Sequence, residues 1–342
     1  MYTSFTGKAT LVLAQKGNKN TSTLHKLLYK SFRKPDGSYS RKPVESIDYK
    51  IVIVDEVSMV PNSLMMELSK HNAYFLFLGD PGQLPPIRKD EDNHLLDNPH
   101  IFLDEVMRQE DGSEIIDIAT KVRRLEPLEL FKGKDVQILD KSDLTQGMYN
   151  WADQIIVATN NTRKQVNAEI RAMHGRGDKP ENGDKVICCH NYWDQVSDTD
   201  QALVNGTIGY LENPFLSFRR ITPKYLADRI GFPSFRILES HFKSDDGSDF
   251  GRLTMDNSLI LEGQKTLTWE QEFALTKDKL MKKIIPLEFE YGYAITCHRS
   301  QGSEWGKVLI IEEGFPFNRD EHAKWLYTAI TRASEKVVII RK

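Results

Sequence analysis

The sequence predicts an α/β protein, and three observations carry that expectation. Short apolar runs recur at 51–54, 74–78, 155–158, 308–311 and 337–340, each ending in polar or Gly-rich residues, as fully buried strands of parallel sheets do. Helical patterns lie between them, and strands alternating with helices argue for stacked α/β layers. The length, 342 residues with 39% hydrophobic and 28% charged positions, suffices for two or three compact units with cores of their own.

Taken along the chain, the first irregular feature is at 32–42, where Pro35-Asp36-Gly37-Ser38 reads as a hairpin turn between two basic arms, Arg33-Lys34 and Arg41-Lys42. Strand 51–54 follows and ends in Asp55-Glu56; strand 74–78 follows that and ends in a Gly/Pro loop. Ser113 is placed to cap a helix in which Ile115, Ile116, Ala119 and Val122 form one apolar stripe. Val166 and Ile170 after Asn161, and Trp325 and Ala329 after Asp320, predict two more helices. Between about 198 and 283 the rhythm changes. Turn signals Asn205-Gly206, Asp246-Gly247 and Asp256-Asn257 separate β-forming segments such as 235–242 and 258–261, which predicts a small antiparallel β insertion.

Composition narrows the function classes. Lys+Arg 46 against Asp+Glu 49 gives a net charge of −3, so a polyanionic partner has to meet a local basic groove rather than a globally basic protein. Three cysteines are too few to staple a chain this long and fit a reducing, cytoplasmic setting. No apolar run approaches the roughly 20 residues that span a bilayer.

Chemistry-bearing residues sit at the ends of the expected strands. Asp55-Glu56 puts two carboxylates at the carboxyl edge of a sheet, where open α/β sheets bind ligands. In a nucleotide hydrolase the first such carboxylate holds Mg²⁺, usually through water, and the second orients or deprotonates the attacking water. Gln83, in Gly79-Asp80-Pro81-Gly82-Gln83-Leu84-Pro85-Pro86, is positioned to sense a phosphate. Met107-Arg108-Gln109 and Thr331-Arg332-Ala333 each offer one arginine suited to a transferring phosphoryl group. Thr296-Cys297-His298-Arg299-Ser300-Gln301-Gly302-Ser303-Glu304 is a dense polar run suited to phosphate contacts.

In order and spacing, these segments, together with Thr6-Gly7-Lys8-Ala9, Thr23-Leu24-His25, Asn205-Gly206 and 327–333, resemble the helicase motifs of superfamily 1, most closely the RecD/Dda-like branch of DNA helicases. The resemblance runs nearly from end to end. It implies two RecA-like P-loop NTPase-type domains: the first over 1–125 with a hairpin insertion at about 31–45, the second over 126–197 and 284–342. It also implies an inserted small SH3-like β-barrel over 198–283, a hairpin that acts as a duplex-splitting pin, and ATP hydrolysis coupled to 5′→3′ movement on single-stranded DNA. Residue by residue, it makes Asp55 the Mg²⁺-associated carboxylate, Glu56 the catalytic base, Gln83 the γ-phosphate sensor, and Arg108 and Arg332 the arginines that reach ATP. Gly302 and Glu304 fall toward nucleotide. Thr6, Lys8, Thr23, His25, Asn160, Thr296 and His298 fall toward DNA, and Phe32 and Tyr39 of the hairpin are suited to stack on bases.

The family's first motif, G-x-x-x-x-G-K-[ST], has no counterpart among the 342 residues: Ala9 follows Gly7-Lys8 where a hydroxyl residue belongs, and no glycine lies five residues before Gly7. Three expectations follow: the chain is a fragment of a longer helicase, one half of a split helicase completed by a second polypeptide that brings the phosphate loop, or a single-stranded DNA-binding remnant without hydrolysis. On each, the 342 residues alone are a poor ATPase. An RNA-directed motor of the same superfamily is the alternative to a DNA-directed one.

Overall fold

The computed structural model describes residues 1–33, 39–86, 89–103, 113–278, 280–314 and 318–341. The turn of the expected hairpin and Arg108 lie outside the described residues. The chain divides into two units. The first comprises Met1–Leu28, Glu45–Ile170 and Tyr293–Lys342, and the second comprises Tyr29–Val44 and Arg171–Gly292.

The first unit holds two sheets. β-Branched residues throughout 51–54 favour the extended backbone, and Ile51–Asp55 forms a central strand of an all-parallel, four-stranded sheet. Its order is Thr21–Thr23, Tyr2–Ser4, Ile51–Asp55, Tyr74–Phe77. The register sets Ser4 opposite Asp55 and Val54 opposite Phe77. Side chains alternate across the sheet. Val52 and Val54 on one face are fully buried, and the Phe75 and Phe77 rings stack beside each other at 5.9 Å. The opposite face is bare: Tyr74 is 80% exposed, Ile51 58% and Leu76 51%, with Leu78 also exposed. Among the described residues, no strand pairs with the outer edge of Tyr74–Phe77.

The second sheet has six strands in the order Ala294–Thr296, Gln154–Val157, Trp305–Ile311, Ala333–Arg341, Val136–Asp140, Phe131–Lys132. Only the last pairing is antiparallel. All four residues of Gln154–Val157 and all four of 337–340 are buried. One core joins Val136, Ile138, Ile156, Val308, Ile310, Val337 and Ile339 of the sheet to helices Glu114–Arg123 and Arg319–Ile330. Each fully buried Val or Ile side chain contributes about 1.5–3 kcal/mol. The apolar stripe of Glu114–Arg123 runs through Ile118 rather than the expected Ile116. Positions 115, 118, 119 and 122 follow the helical period more closely.

The second unit is built on a five-stranded antiparallel sheet in the order Asp249–Met255, Ser234–Ser244, Ile208–Arg220, Lys185–Cys188, Phe289–Tyr291. Two strands thus lie outside the 198–283 span expected for the β insertion. The turn Asp246-Gly247, with Gly247 at φ +89°, connects the hairpin of Ser234–Ser244 and Asp249–Met255. The expected strand at 258–261 is instead helix Asn257–Glu262. Asp256 accounts for the difference: its Oδ1 accepts hydrogen bonds from the N–H groups of Ser258 and Leu259. That N-cap nucleates a turn of helix that the β-forming Leu and Ile residues do not resist. The basic hairpin forms as expected from Tyr29–Arg33 and Tyr39–Pro43, paired antiparallel with Phe32 opposite Ser40.

Candidate functional site

The sequence-predicted residues of the first unit gather at the carboxyl ends of its parallel strands, the edge where α/β sheets place ligands. Thr6 follows Tyr2–Ser4, Asp55 ends Ile51–Asp55, and Gln83 lies beyond Tyr74–Phe77. Asn160 follows Gln154–Val157, and Thr296 closes Ala294–Thr296. Glu56 adopts φ +54° and its N–H donates to Asp55 Oδ1 at 3.0 Å. A non-glycine residue in the left-handed region costs energy and is concentrated at functional sites. Here it turns the chain sharply at the carboxylate pair, after which Val57 N–H returns to Leu78 O at 2.9 Å.

Several buried polar atoms without partners lie on these same segments. Thr3 Oγ1, Ser4 Oγ, Ser58 Oγ, Gln83 Oε1 and Gln301 Oε1 find no hydrogen-bond partner among the described residues. Ser4 lies opposite Asp55 in register, and Ser58 belongs to the 3₁₀ turn just after Glu56. Buried groups of this kind call for an explanation, and a bound polar ligand is one. Mg²⁺ commonly takes one or two carboxylates and completes its shell with water and phosphate oxygens. One carboxylate at a strand end, with Ser4 opposite it in register, fits that habit. Among the described residues no three His, Cys, Asp or Glu side chains converge as a self-sufficient metal site.

The Gln83 loop is fastened on both sides. Asp80 Oδ1 accepts from Gly82 N–H at 2.8 Å, and Gln83 N–H donates to Asp80 O at 3.1 Å. Tyr327 Oη–H donates to Asp80 Oδ2 at 2.6 Å, and Leu84 N–H donates to Thr328 Oγ1 at 2.9 Å. Gln301 Nε2 donates to Leu84 O at 3.4 Å. One residue on, Gly302 adopts φ +78°, and a Cβ there would stand 3.2 Å from Ala9 Cβ and 3.3 Å from Thr6 Oγ1. Segments that begin at residues 6, 80, 301 and 327 therefore converge, although the sequence separates them widely. Thr6 Oγ1 itself accepts from Ala9 N–H at 3.2 Å and caps helix Gly7–Gln15, the helix that carries Lys8.

Arg332 is present at this convergence but folds back. Nε donates to Thr328 O at 3.1 Å, Nη1 to Ser303 O and Nη2 to Thr331 Oγ1, both at 3.2 Å. The side chain is almost fully buried. Glu304 is exposed.

Among the residues expected to face DNA, Thr296 is buried at the N-cap of Cys297–Ser300. His298 is half-buried on that helix, and burial lowers its pKa below the ordinary histidine value. His25 packs its ring 5.7 Å from Phe5. Thr23 Oγ1 accepts from Lys26 N–H at 3.4 Å. Asn160 Oδ1 accepts from Arg163 Nε at 3.2 Å. Sequence reading missed Tyr327 and Thr328 as individual residues, although both lie within a quoted motif.

Comparisons with known proteins find helicases among the chains similar to this one. A family model described as an AAA domain matches residues 1–89, and one described as a UvrD-like helicase C-terminal domain matches residues 291–340. An ATP-dependent RecD2 DNA helicase of Deinococcus radiodurans is 27% identical over 346 residues, covering 97% of this chain. The chain spans only 41% of that relative's length. The uncharacterized protein R530 of Acanthamoeba polyphaga mimivirus is 21% identical over 374 residues, covering 86% of this chain and 75% of its own. In fold, the chain resembles a Pif1 helicase from Bacteroides crystallised with ADP-AlF3 and single-stranded DNA. The TM-score is 0.50 at 15% identity, over 99% of this chain and 87% of that one.

Proposed function

We propose, from the premise that the chain is a superfamily 1 helicase of the RecD/Pif1 type, that it is the working part of an ATP-driven motor moving 5′→3′ along single-stranded DNA. The observation that carries this reading is the convergence at Gly302. It brings the Thr6 turn, the Gln83 loop and the helix end that leads into Arg332 together, within a unit that also presents Asp55 and Glu56 at a strand end. Asp55 would hold Mg²⁺ through water, and Glu56 would orient the attacking water and accept its proton. Bound Mg²⁺ would supply charge neutralisation of the phosphates. Gln83 would sense the terminal phosphate. Arg332 would turn outward to the nucleotide, with Arg108 as its partner and Gly302 and Glu304 alongside. Thr6, Lys8, Thr23, His25, Asn160, Thr296 and His298 would line the DNA track. The hairpin of Tyr29–Arg33 and Tyr39–Pro43 would serve as a pin at duplex junctions, and the antiparallel sheet of the second unit as an SH3-like clamp.

A second reading rests on the bare face of the first sheet. An all-parallel sheet ordinarily has helices on both faces, whereas Ile51, Tyr74 and Leu76 lie open beside an unpaired strand edge. This favours completion by a strand, phosphate loop and helix from outside these 342 residues, on the same polypeptide or a second one. Measuring ATP hydrolysis with and without single-stranded DNA, for the chain alone and for the chain joined to such a unit, tests both readings. DNA-stimulated hydrolysis only in the completed protein, reduced at least about a hundredfold by Glu56→Gln, is the expected result. Single-strand binding without hydrolysis in either form supports the remnant instead. Substrates bearing a 5′ or a 3′ tail, in DNA and in RNA, decide polarity and nucleic acid.

A further inference from the structure

Tyr327 has no role in the reading above, yet it makes one of the strongest side-chain contacts of the first unit. Its hydroxyl meets a carboxylate at 2.6 Å, in a partly buried setting where charge-assisted hydrogen bonds are strong. The ring lies against the backbone of the Gln83 loop: a Cβ on Gly82 would stand 3.1 Å from Tyr327 Cε1. The Arg123 guanidinium sits 5.9 Å over the same ring and 3.9 Å from Asp80 Oδ1, so the carboxylate is held from two sides. The next residue of the helix, Thr328, is fully buried, and its two oxygens point to different tasks. Oγ1 accepts from Leu84 N–H, and the carbonyl accepts from Arg332 Nε.

We propose that Tyr327 and Thr328 form a clamp that sets Gln83 at a fixed position relative to Arg332, making Tyr327 a positioning residue for nucleotide hydrolysis. This rests on the reading of Gln83 and Arg332 as nucleotide-facing groups. The two loop anchors, Asp80 and Leu84, bracket Gln83, and the two helix anchors precede Arg332 by about one turn. A displacement of the Gln83 loop therefore pulls on the helix Arg319–Ile330 that leads into Arg332, and the reverse also holds. Shape alone does not account for the arrangement, because a phenylalanine at 327 would pack against Gly82 equally well and leave Asp80 Oδ2 without its donor.

Amide hydrogen exchange on the purified chain reads the clamp directly. In Tyr327→Phe, exchange at Gly82, Gln83 and Leu84 is expected to rise about tenfold, with Ala333–Arg341 unchanged. Thr328→Ser, which keeps the hydroxyl, is expected to match the parent chain. Loop exchange that does not change in Tyr327→Phe overturns the clamp, as does a rise that extends equally through Ala333–Arg341. In the hydrolysing protein, Tyr327→Phe is expected to lower kcat about tenfold with the KM for ATP within twofold. A raised KM at unchanged kcat would make the contact an ordinary binding determinant and overturn the positioning role. Absence of hydrolysis in the completed protein sinks the proposed function, whereas the exchange comparison on the 342-residue chain still decides the clamp.

Discussion

The two sheets of the first unit are written in the same kind of sequence and end in opposite states. Val337-Val338-Ile339-Ile340 is buried on both faces, under helices Glu114–Arg123 and Arg319–Ile330 on one side of the sheet. Tyr74-Phe75-Leu76-Phe77, an equally apolar run, has no buried residue and, among the described residues, forms an open edge. An apolar strand thus states a requirement for cover without supplying it. Cover depends on what other segments bring to each face.

The contrast can be broken most forcefully with a charge. Ile339→Asp is expected to cost more than about 4 kcal/mol in a urea melt, because a carboxylate is forced into a closed core. Ile310→Ala in the same sheet is expected to cost about 3 kcal/mol through lost contacts and a residual cavity. Glu312, just past Trp305–Ile311, sharpens the comparison through pH. Burial alone would raise its pKa, but hydrogen bonds from His322 and Arg341 outweigh that and hold it below the usual 4.5. With a lowered folded-state value, this stabilisation is complete above about pH 4.5 and is lost as pH falls through the folded value. Glu312→Gln should therefore flatten the acid limb of a stability–pH profile. The smallest effect belongs to the open face: Leu76→Asp is expected to shift stability by no more than about 0.5 kcal/mol and to reduce binding of an apolar dye. A loss at Leu76 comparable to that at Ile339 would mean that this face is covered in solution.

Much of the architecture was legible because β-branched runs and helical stripes are local signals. The strand positions at 51–54, 155–158, 308–311 and 337–340 follow directly from them. The segment 258–261 was misread because the deciding group, Asp256, lies outside the run and acts by capping. The positions of the candidate residues were legible one segment at a time: Asp55 and Glu56 lie at a strand end, and Gln83 in the loop beyond the next strand. What joins the segments was not legible. Tyr327 and Asp80 are 247 positions apart, and nothing in either residue's neighbourhood marks the other. The folded-back side chain of Arg332 is a rotamer choice, which a single sequence does not encode.

Gly302 has a practical corollary. Its α-carbon faces Ala9 and the Thr6 hydroxyl so closely that an added methyl group would have to push them back by a few tenths of an ångström, in a backbone conformation that L-residues rarely adopt. The position therefore works as a feeler gauge on the gap between these segments. Gly302→Ala carries backbone strain in either case, and the steric part of its cost falls where the gap widens by a few tenths of an ångström and rises where it shuts. A protein that alternates between two spacings would be biased toward the wider one by that single carbon, a wedge with which the spacing itself can be varied and measured.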